Sequence, residues 1–317
     1  MKPSLGLPWY RPAVAILLMQ VTAAVAASGG GPDAPGSPPA ALAPAANTLF
    51  DYDPGADLAL KTRATVSRGD VTVTEVAFAG SPHGEAPPVQ ATLVRPAGPG
   101  PFAAVLWVHW LGDPVTTNRT QFLEEATALA REGVVSLLVE AMWARPHWYK
   151  ERTFETDRAA SVRQVVELRR ALDVLLAQPG VEAARTALVG HDYGAMHAAL
   201  LAGVDSRVHA YVLVAGTPSL LDWAFYAAKP EVMTDYLAQM RPLELRDSLA
   251  RNPRSEFLLQ YAEKDEYVPL AKAVEFFAAV AGPKRLIVYG GASHAMTEVP
   301  AIRGDRAAWL RQQLALR

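Results

Sequence analysis

The run Thr186-Ala187-Leu188-Val189-Gly190-His191-Asp192-Tyr193-Gly194-Ala195-Met196-His197-Ala198-Ala199-Leu200-Leu201 decides how the rest of the chain is read. Ala187-Leu188-Val189 is apolar throughout and reads as a strand buried on both faces. Ala195 to Leu201 reads as a helix. Between them, Gly190-His191-Asp192-Tyr193-Gly194 leaves no room for a loop, so the strand must bend straight into the helix. A glycine on each side permits that cramped turn, and the turn pushes the central side chain outward. That side chain is a carboxylate.

Outward from the bend, strands and helices alternate. Val71 to Ala79 alternates apolar and polar residues and is rich in β-branched ones, so it reads as a strand. Pro88 to Arg95 is its partner across the turn Gly80-Ser81-Pro82-His83-Gly84. Ala103 to His109 and Val134 to Val139 have the continuous apolar character of central strands. A helix is expected over Phe122 to Arg131. A longer one is expected over Asp157 to Ala177, capped by Thr156, with Val162, Val165, Val166, Leu168, Leu172, Leu175 and Leu176 at helical spacing. Val208 to Val214, Glu256 to Tyr261 and Arg285 to Tyr289 follow as strands, with helices at Ala271 to Ala281 and Arg306 to Leu316. The class is α/β: a mostly parallel central sheet with helices on both faces and an antiparallel hairpin leading in. In such sheets ligands bind at the carboxyl ends of the strands.

Three residues at such ends make a chemical set. Asp192 projects from the bend. Asp265 follows the strand ending at Tyr261, and His294 follows the last strand. A nucleophile or base, then an acid, then a histidine is an order that places an imidazole between two carboxylates. Glu263 and Glu266 are alternatives to Asp265, whose other role would be to cap the helix near Leu270. Backbone donors for a developing oxyanion are expected from Tyr193 and from Trp110 or Leu111 in the loop His109-Trp110-Leu111-Gly112-Asp113-Pro114. Trp143, Trp148, Trp223 and Tyr226 are candidates for the wall of an apolar pocket, alongside His147, Tyr149 and Phe225. His191 and His197 read as packing residues. No grouping of His, Asp and Glu has metal-ligand spacing, and no cofactor is expected.

Composition sets the bounds. The chain has 317 residues, 50% hydrophobic and 20% charged, with a net charge of −2. That balance gives no electrostatic case for nucleic acid or an anionic membrane; the partner expected from the catalytic set is a small-molecule substrate. Residues 1–27 read as a signal peptide: Lys2 and Arg11, an apolar core over Ala13 to Ala26, and small residues around Ala24-Val25-Ala26. Residues 28–46 read as a flexible Pro/Gly/Ala linker, and 47–317 as the folded domain. The expected location is secreted or periplasmic, with no membrane attachment after cleavage. There is no cysteine, hence no disulfide and no acylation site.

From about Phe50 to Arg317 the chain resembles the α/β-hydrolase superfamily, on the bend and the two later loops just described. The Asp192 elbow resembles epoxide hydrolases and haloalkane dehalogenases. The overall layout, with a short segment between Gly216 and Ser255 and the phrase Lys264-Asp265-Glu266-Tyr267-Val268-Pro269, resembles dienelactone hydrolases. The first resemblance implies attack by Asp192 on an epoxide or alkyl halide, an enzyme ester, and water activated by His294 with Asp265 behind it. Its family shows His-Gly-x-Pro where this chain has His109-Trp110-Leu111-Gly112, and a large cap with two tyrosines where this chain has Thr217 to Arg254 with Tyr226 and Tyr236. Attack on an epoxide or alkyl halide is the main expectation; the second resemblance implies the alternative, an ester or lactone hydrolase in which Asp192 is a base or an electrostatic element. A silent binding protein on the same fold is the third reading.

Overall fold

The structure is a computed structural model that describes residues 48–80, 87–112, 119–224 and 233–316. The expected signal peptide and linker, most of the Gly80–Gly84 turn, Asp113, Pro114, Phe225 and Tyr226 lie outside the described residues.

Nine strands form one sheet: β1 Lys61–Arg68, β2 Val71–Phe78, β3 Val89–Pro96, β4 Phe102–Val108, β5 Val134–Val139, β6 Val181–His191, β7 Ala210–Val214, β8 Glu256–Ala262 and β9 Lys284–Tyr289. Their order is β1-β2-β3-β5-β4-β6-β7-β8-β9. The pairings β1–β2, β2–β3 and β3–β5 are antiparallel. From β5 through β9 every pairing is parallel. The described helices are α1 Leu123–Ala130, α2 Trp148–Glu151, α3 Phe154–Leu176, α4 Tyr193–Ala202, α5 Leu221–Ala224, α6 Met233–Met240, α7 Leu245–Ala250, α8 Leu270–Ala279 and α9 Ala301–Gln313. Two apolar layers result. One holds α3, α4 and α8 against the sheet, and the other holds α1 and α9.

Burial explains both the elements that periodicity marks and those it does not. β4 and β5 are buried at every position, as continuous apolar runs require. β1, Lys-Thr-Arg-Ala-Thr-Val-Ser-Arg, is exposed at every position; held at the sheet edge by β2 alone, it has no apolar face for sequence to announce. α4 is the reverse case, with all ten residues buried, so it carries no amphipathic stripe. α3 begins three residues before the expected Asp157, with Thr153 rather than Thr156 at its N-cap. Asp157 is buried and tied to the guanidinium of Arg152, with N···O 2.6 Å, so its carboxylate serves a buried ion pair inside the first turn. α9 starts at Ala301 rather than Arg306 because Ile302 already packs in the core.

Candidate active site

β6 turns into α4 within one residue. Asp192 sits at φ 55°, ψ −116°, a conformation that costs a non-glycine residue on the order of 1–3 kcal/mol and persists only when the surroundings enforce it. They do so here. Asp192 N–H donates to the Val214 carbonyl at the end of β7 (2.8 Å), and the Asp192 carbonyl accepts from Met196 N–H (3.0 Å). The flanking glycines are needed for close approach: a Cβ on Gly190 would strike the Gly194 carbonyl, and one on Gly194 would strike the Val108 carbonyl of β4.

The outward carboxylate meets two other loops. Its Oδ2 accepts the backbone N–H of Leu111 at 3.0 Å. Its Oδ1 lies 3.9 Å from Nε2 of His294, an ion-pair distance longer than a hydrogen bond. On the far side of the ring, His294 Nδ1–H donates to Asp265, 2.9 Å to Oδ2 and 3.0 Å to Oδ1. Asp265 Oδ1 also accepts the backbone N–H groups of Tyr267 (2.9 Å) and Val268 (2.8 Å), so its carboxylate is fixed before it meets the imidazole. Of the three candidate acids, the structure joins Asp265 to the ring. Glu266 Oε2 instead accepts the backbone N–H of His294 at 3.2 Å. Asp265 does not cap α8, whose N-cap is Pro269.

Burial by itself would lower the pKa of His294. The carboxylates of Asp192 and Asp265 outweigh it and hold the imidazole at about 9. Near neutral pH the resting ring is therefore an imidazolium between two carboxylates.

Of the expected oxyanion donors, the structure separates Leu111 from Trp110. Leu111 N–H points at Asp192, whereas Trp110 N–H donates to the Gln121 side chain at 2.9 Å. Tyr193, the other expected donor, is the first residue of α4, directly after Asp192. The Trp110 ring stacks on His191, centroids 5.3 Å apart and planes 9° apart, and lies 5.8 Å from the His294 ring.

His191 does more than pack. Its Nε2–H donates to the carbonyl of His294 at 2.9 Å, which leaves Nδ1 to accept from the Gln121 amide at 2.7 Å. Gln121 thus spans the elbow and the Trp110 loop, and His191 spans the elbow and the His294 loop. Burial first, then the neighbouring charge of His294, push the His191 pKa well down, which suits a ring used in neutral form. His197 matches its expected packing role: buried, donating Nδ1–H to the Tyr193 carbonyl at 2.8 Å.

A cavity of about 320 Å³ opens at His294, lined also by Trp110, Leu111, Tyr149, Glu266, Tyr267 and Ala295; the Asp192 and Asp265 side chains are buried beside the ring. The expected pocket wall needs correction. Trp143 is 1% exposed and packs in the core against Trp148, Tyr193 and His197; its indole N–H donates to the His109 carbonyl. Trp148 borders a separate small void beside Arg152, Asp157 and Tyr236. Trp223 lies in α5, and Tyr226 is outside the described residues. Tyr236 donates its hydroxyl to Asp157 at 2.6 Å, which commits it to the buried ion pair. Tyr267, which sequence reading passed over, sits edge-on to His294 at 5.1 Å; its place two residues after Asp265 is the one signal that marks it.

This is an α/β-hydrolase fold, with its elbow, acid loop and histidine loop at the carboxyl edge of a parallel sheet. Solved structures of the same fold include an acetyl xylan esterase from Paenibacillus sp. R4, with TM-score 0.67, 18% identity, and coverage of 86% of this chain and 92% of that one. Acetyl xylan esterase 1 from Thermoanaerobacterium sp. JW/SL YS485 has TM-score 0.68, 12% identity and coverage of 84% and 92%. A glucuronoyl esterase from Solibacter usitatus has TM-score 0.58, 14% identity and coverage of 82% and 86%. At these identities the likeness is one of fold. No protein-family model and no curated protein matches the sequence.

Proposed function

We propose that the protein is a hydrolase of small carboxylic esters or lactones in which Asp192 and His294 act as a carboxylate–imidazolium pair on water. The observation that carries this reading is their arrangement: Oδ1 of Asp192 and Nε2 of His294 face each other across 3.9 Å beside the cavity that His294 lines, with Asp265 behind the ring. Water bound beside the pair, within reach of Oδ1, gives a proton to Asp192 as its oxygen bonds to the acyl carbon. The carbon–oxygen bond to the alcohol breaks, and the leaving oxygen takes the Nε2 proton of His294. A proton then returns from Asp192 to the ring, and both groups are as they began. An imidazolium with a pKa of about 9 is suited to protonating an alkoxide. The esterases that share the fold favour this class of substrate over the epoxides and alkyl halides to which the elbow residue alone leads.

A second reading keeps the covalent route, and one observation favours it. Oδ2 of Asp192 already occupies the Leu111 N–H. An ester formed on Oδ1 by attack at a saturated carbon would leave its carbonyl oxygen on that donor, where the charge develops when water cleaves the ester. An epoxide is the matching substrate, since its opened oxygen needs the proton that His294 holds.

The test compares wild type with Asp192→Asn and His294→Gln on phenyl acetate, small lactones and styrene oxide. Esterase or lactonase turnover falling at least about 10²-fold in both variants is expected; unaltered turnover in both overturns the reading. In H₂¹⁸O, label is expected in the product acid alone. Label accumulating in Asp192 over many turnovers selects the covalent route instead.

A further inference from the structure

Around His294, the described lining of the cavity holds the rings of Trp110, Tyr149 and Tyr267, the carboxylate of Glu266, and no lysine or arginine. Tyr267 is 45% exposed, stands edge-on to His294 and lines the cavity, so part of its ring is open to a ligand there. Tyr149 and Trp110 complete an aromatic wall. At about 320 Å³ the space is at the small end of the ~300–1,000 Å³ range of ligand sites, enough for one ring and a short chain. Charge is as lopsided as shape. Asp192, Asp265 and Glu266 surround the reacting position, against the single positive charge of His294. The guanidinium beside this wall, that of Arg152 stacked 5.2 Å over Tyr149, is matched by Asp157.

We propose that the cavity selects small uncharged or cationic substrates built around one flat ring and rejects anionic ones, with Tyr267 as the wall and Glu266 as the charge filter. The inference rests on reading Asp192, Asp265 and His294 as the place of turnover, but its test does not require turnover. A ring lying on Tyr267 gains stacking area, and a trimethylammonium group gains the faces of Tyr149 and Tyr267 together with the Glu266 carboxylate. A carboxylate in the same place meets like charge, and the one cationic side chain among the described lining residues, His294, already faces Asp192 and Asp265. Because Glu266 is exposed, water and salt weaken its effect, and the expected discrimination is moderate.

Three aryl methyl ketones that imitate an ester without being hydrolysed serve as probes: acetophenone, 4-(trimethylammonio)acetophenone and 4-acetylbenzoate. Affinities are measured by NMR titration on the wild-type protein, on Glu266→Gln and on Tyr267→Ala. In wild type the cation and the neutral ketone are expected to bind roughly threefold to tenfold tighter than the anion. Glu266→Gln retains an oxygen acceptor for the His294 backbone N–H and is expected to shrink that ratio toward one. Tyr267→Ala is expected to weaken all three by about tenfold, the loss of one stacked ring. Equal affinities in wild type, a ratio unchanged in Glu266→Gln, or no binding of any probe at millimolar concentration each overturns the proposal. If the hydrolase reading fails, phenyl acetate and styrene oxide go unhydrolysed while the order of ketone affinities stands; if the selectivity fails, hydrolysis proceeds without regard to charge.

Discussion

Asp265 shows how much one side chain can organise. Its carboxylate accepts from two backbone N–H groups and from His294 Nδ1–H, so it shapes its own loop and sets the tautomer of the ring. The two duties can be separated. Asp265→Asn keeps an oxygen for Tyr267 and Val268, so stability should change by no more than about 1 kcal/mol. The amide no longer holds a charge against the ring, and turned the other way it offers N–H to Nδ1, which inverts the tautomer. Turnover should fall by about 10³–10⁴-fold, the scale of the same change in a serine-protease triad. The His294 pKa, followed by NMR titration, should drop below its value of about 9. Asp265→Ala also strips both backbone donors and should cost a further 1–3 kcal/mol or so in denaturant unfolding. A variant with asparagine at 265 and wild-type turnover would remove Asp265 from the mechanism.

At the scale of elements, the site depends on three loops kept in register by two side chains outside the reacting set. Gln121, just before α1, accepts from Trp110 N–H and donates to His191 Nδ1; His191 in turn donates to the His294 carbonyl. Gln121→Glu retains the acceptor for Trp110 but has no N–H for His191. The ring is then satisfied only as an imidazolium, donating to the introduced carboxylate and to the His294 carbonyl together. The expected result is a loss of kcat/KM of tenfold to about 10²-fold above neutral pH, the scale of a misplaced reacting group, with recovery as the pH falls and His191 gains a proton. A purely structural lesion would lower the rate equally at every pH, so a pH-rate profile decides. The bend, the buried strands and the acid and histidine loops were legible in sequence because each is bounded by glycine or by a run of apolar residues. β1 was not, since it has no buried face. Gln121 and His191 were not, because their importance lies in bonds between loops 70 and 103 residues apart in sequence, and a glutamine or a histidine carries no local mark of such a bond. Trp143 misled for a related reason: an aromatic residue after a strand suits a core as well as a pocket, and burial alone separates them.

For the whole molecule, the buried histidines make stability a function of pH in both directions. His294 is held at about 9 against an ordinary 6.5, so the folded state keeps a proton that the unfolded chain releases. Its contribution is complete below pH 6.5 and lost as the pH climbs through 9, on the order of 3 kcal/mol in all. His109 and His197 run the other way. Burial, partly offset by the backbone carbonyls they contact, lowers both to about 4, and His191 is lowered too. Their contribution is complete above pH 6.5 and lost as the pH falls toward 4. Glu167, raised by burial to about 7, favours the folded state while protonated and draws the optimum toward acid. Thermal unfolding followed by circular dichroism should therefore give a Tm that peaks between about pH 6 and 7 and declines on both sides. Asp192→Asn removes one of the two carboxylates that keep the proton on His294. In that variant the alkaline decline should begin at lower pH and be shallower, while the acid decline stays where it was, because His109 and His197 owe their shifts to burial. The shape of the curve is the readout, since replacing a buried carboxylate also moves its height. A wild-type Tm that is level from about pH 6 to 9.5 would mean that His294 is not held as an imidazolium, and with it the acid that the proposed hydrolysis needs would be gone.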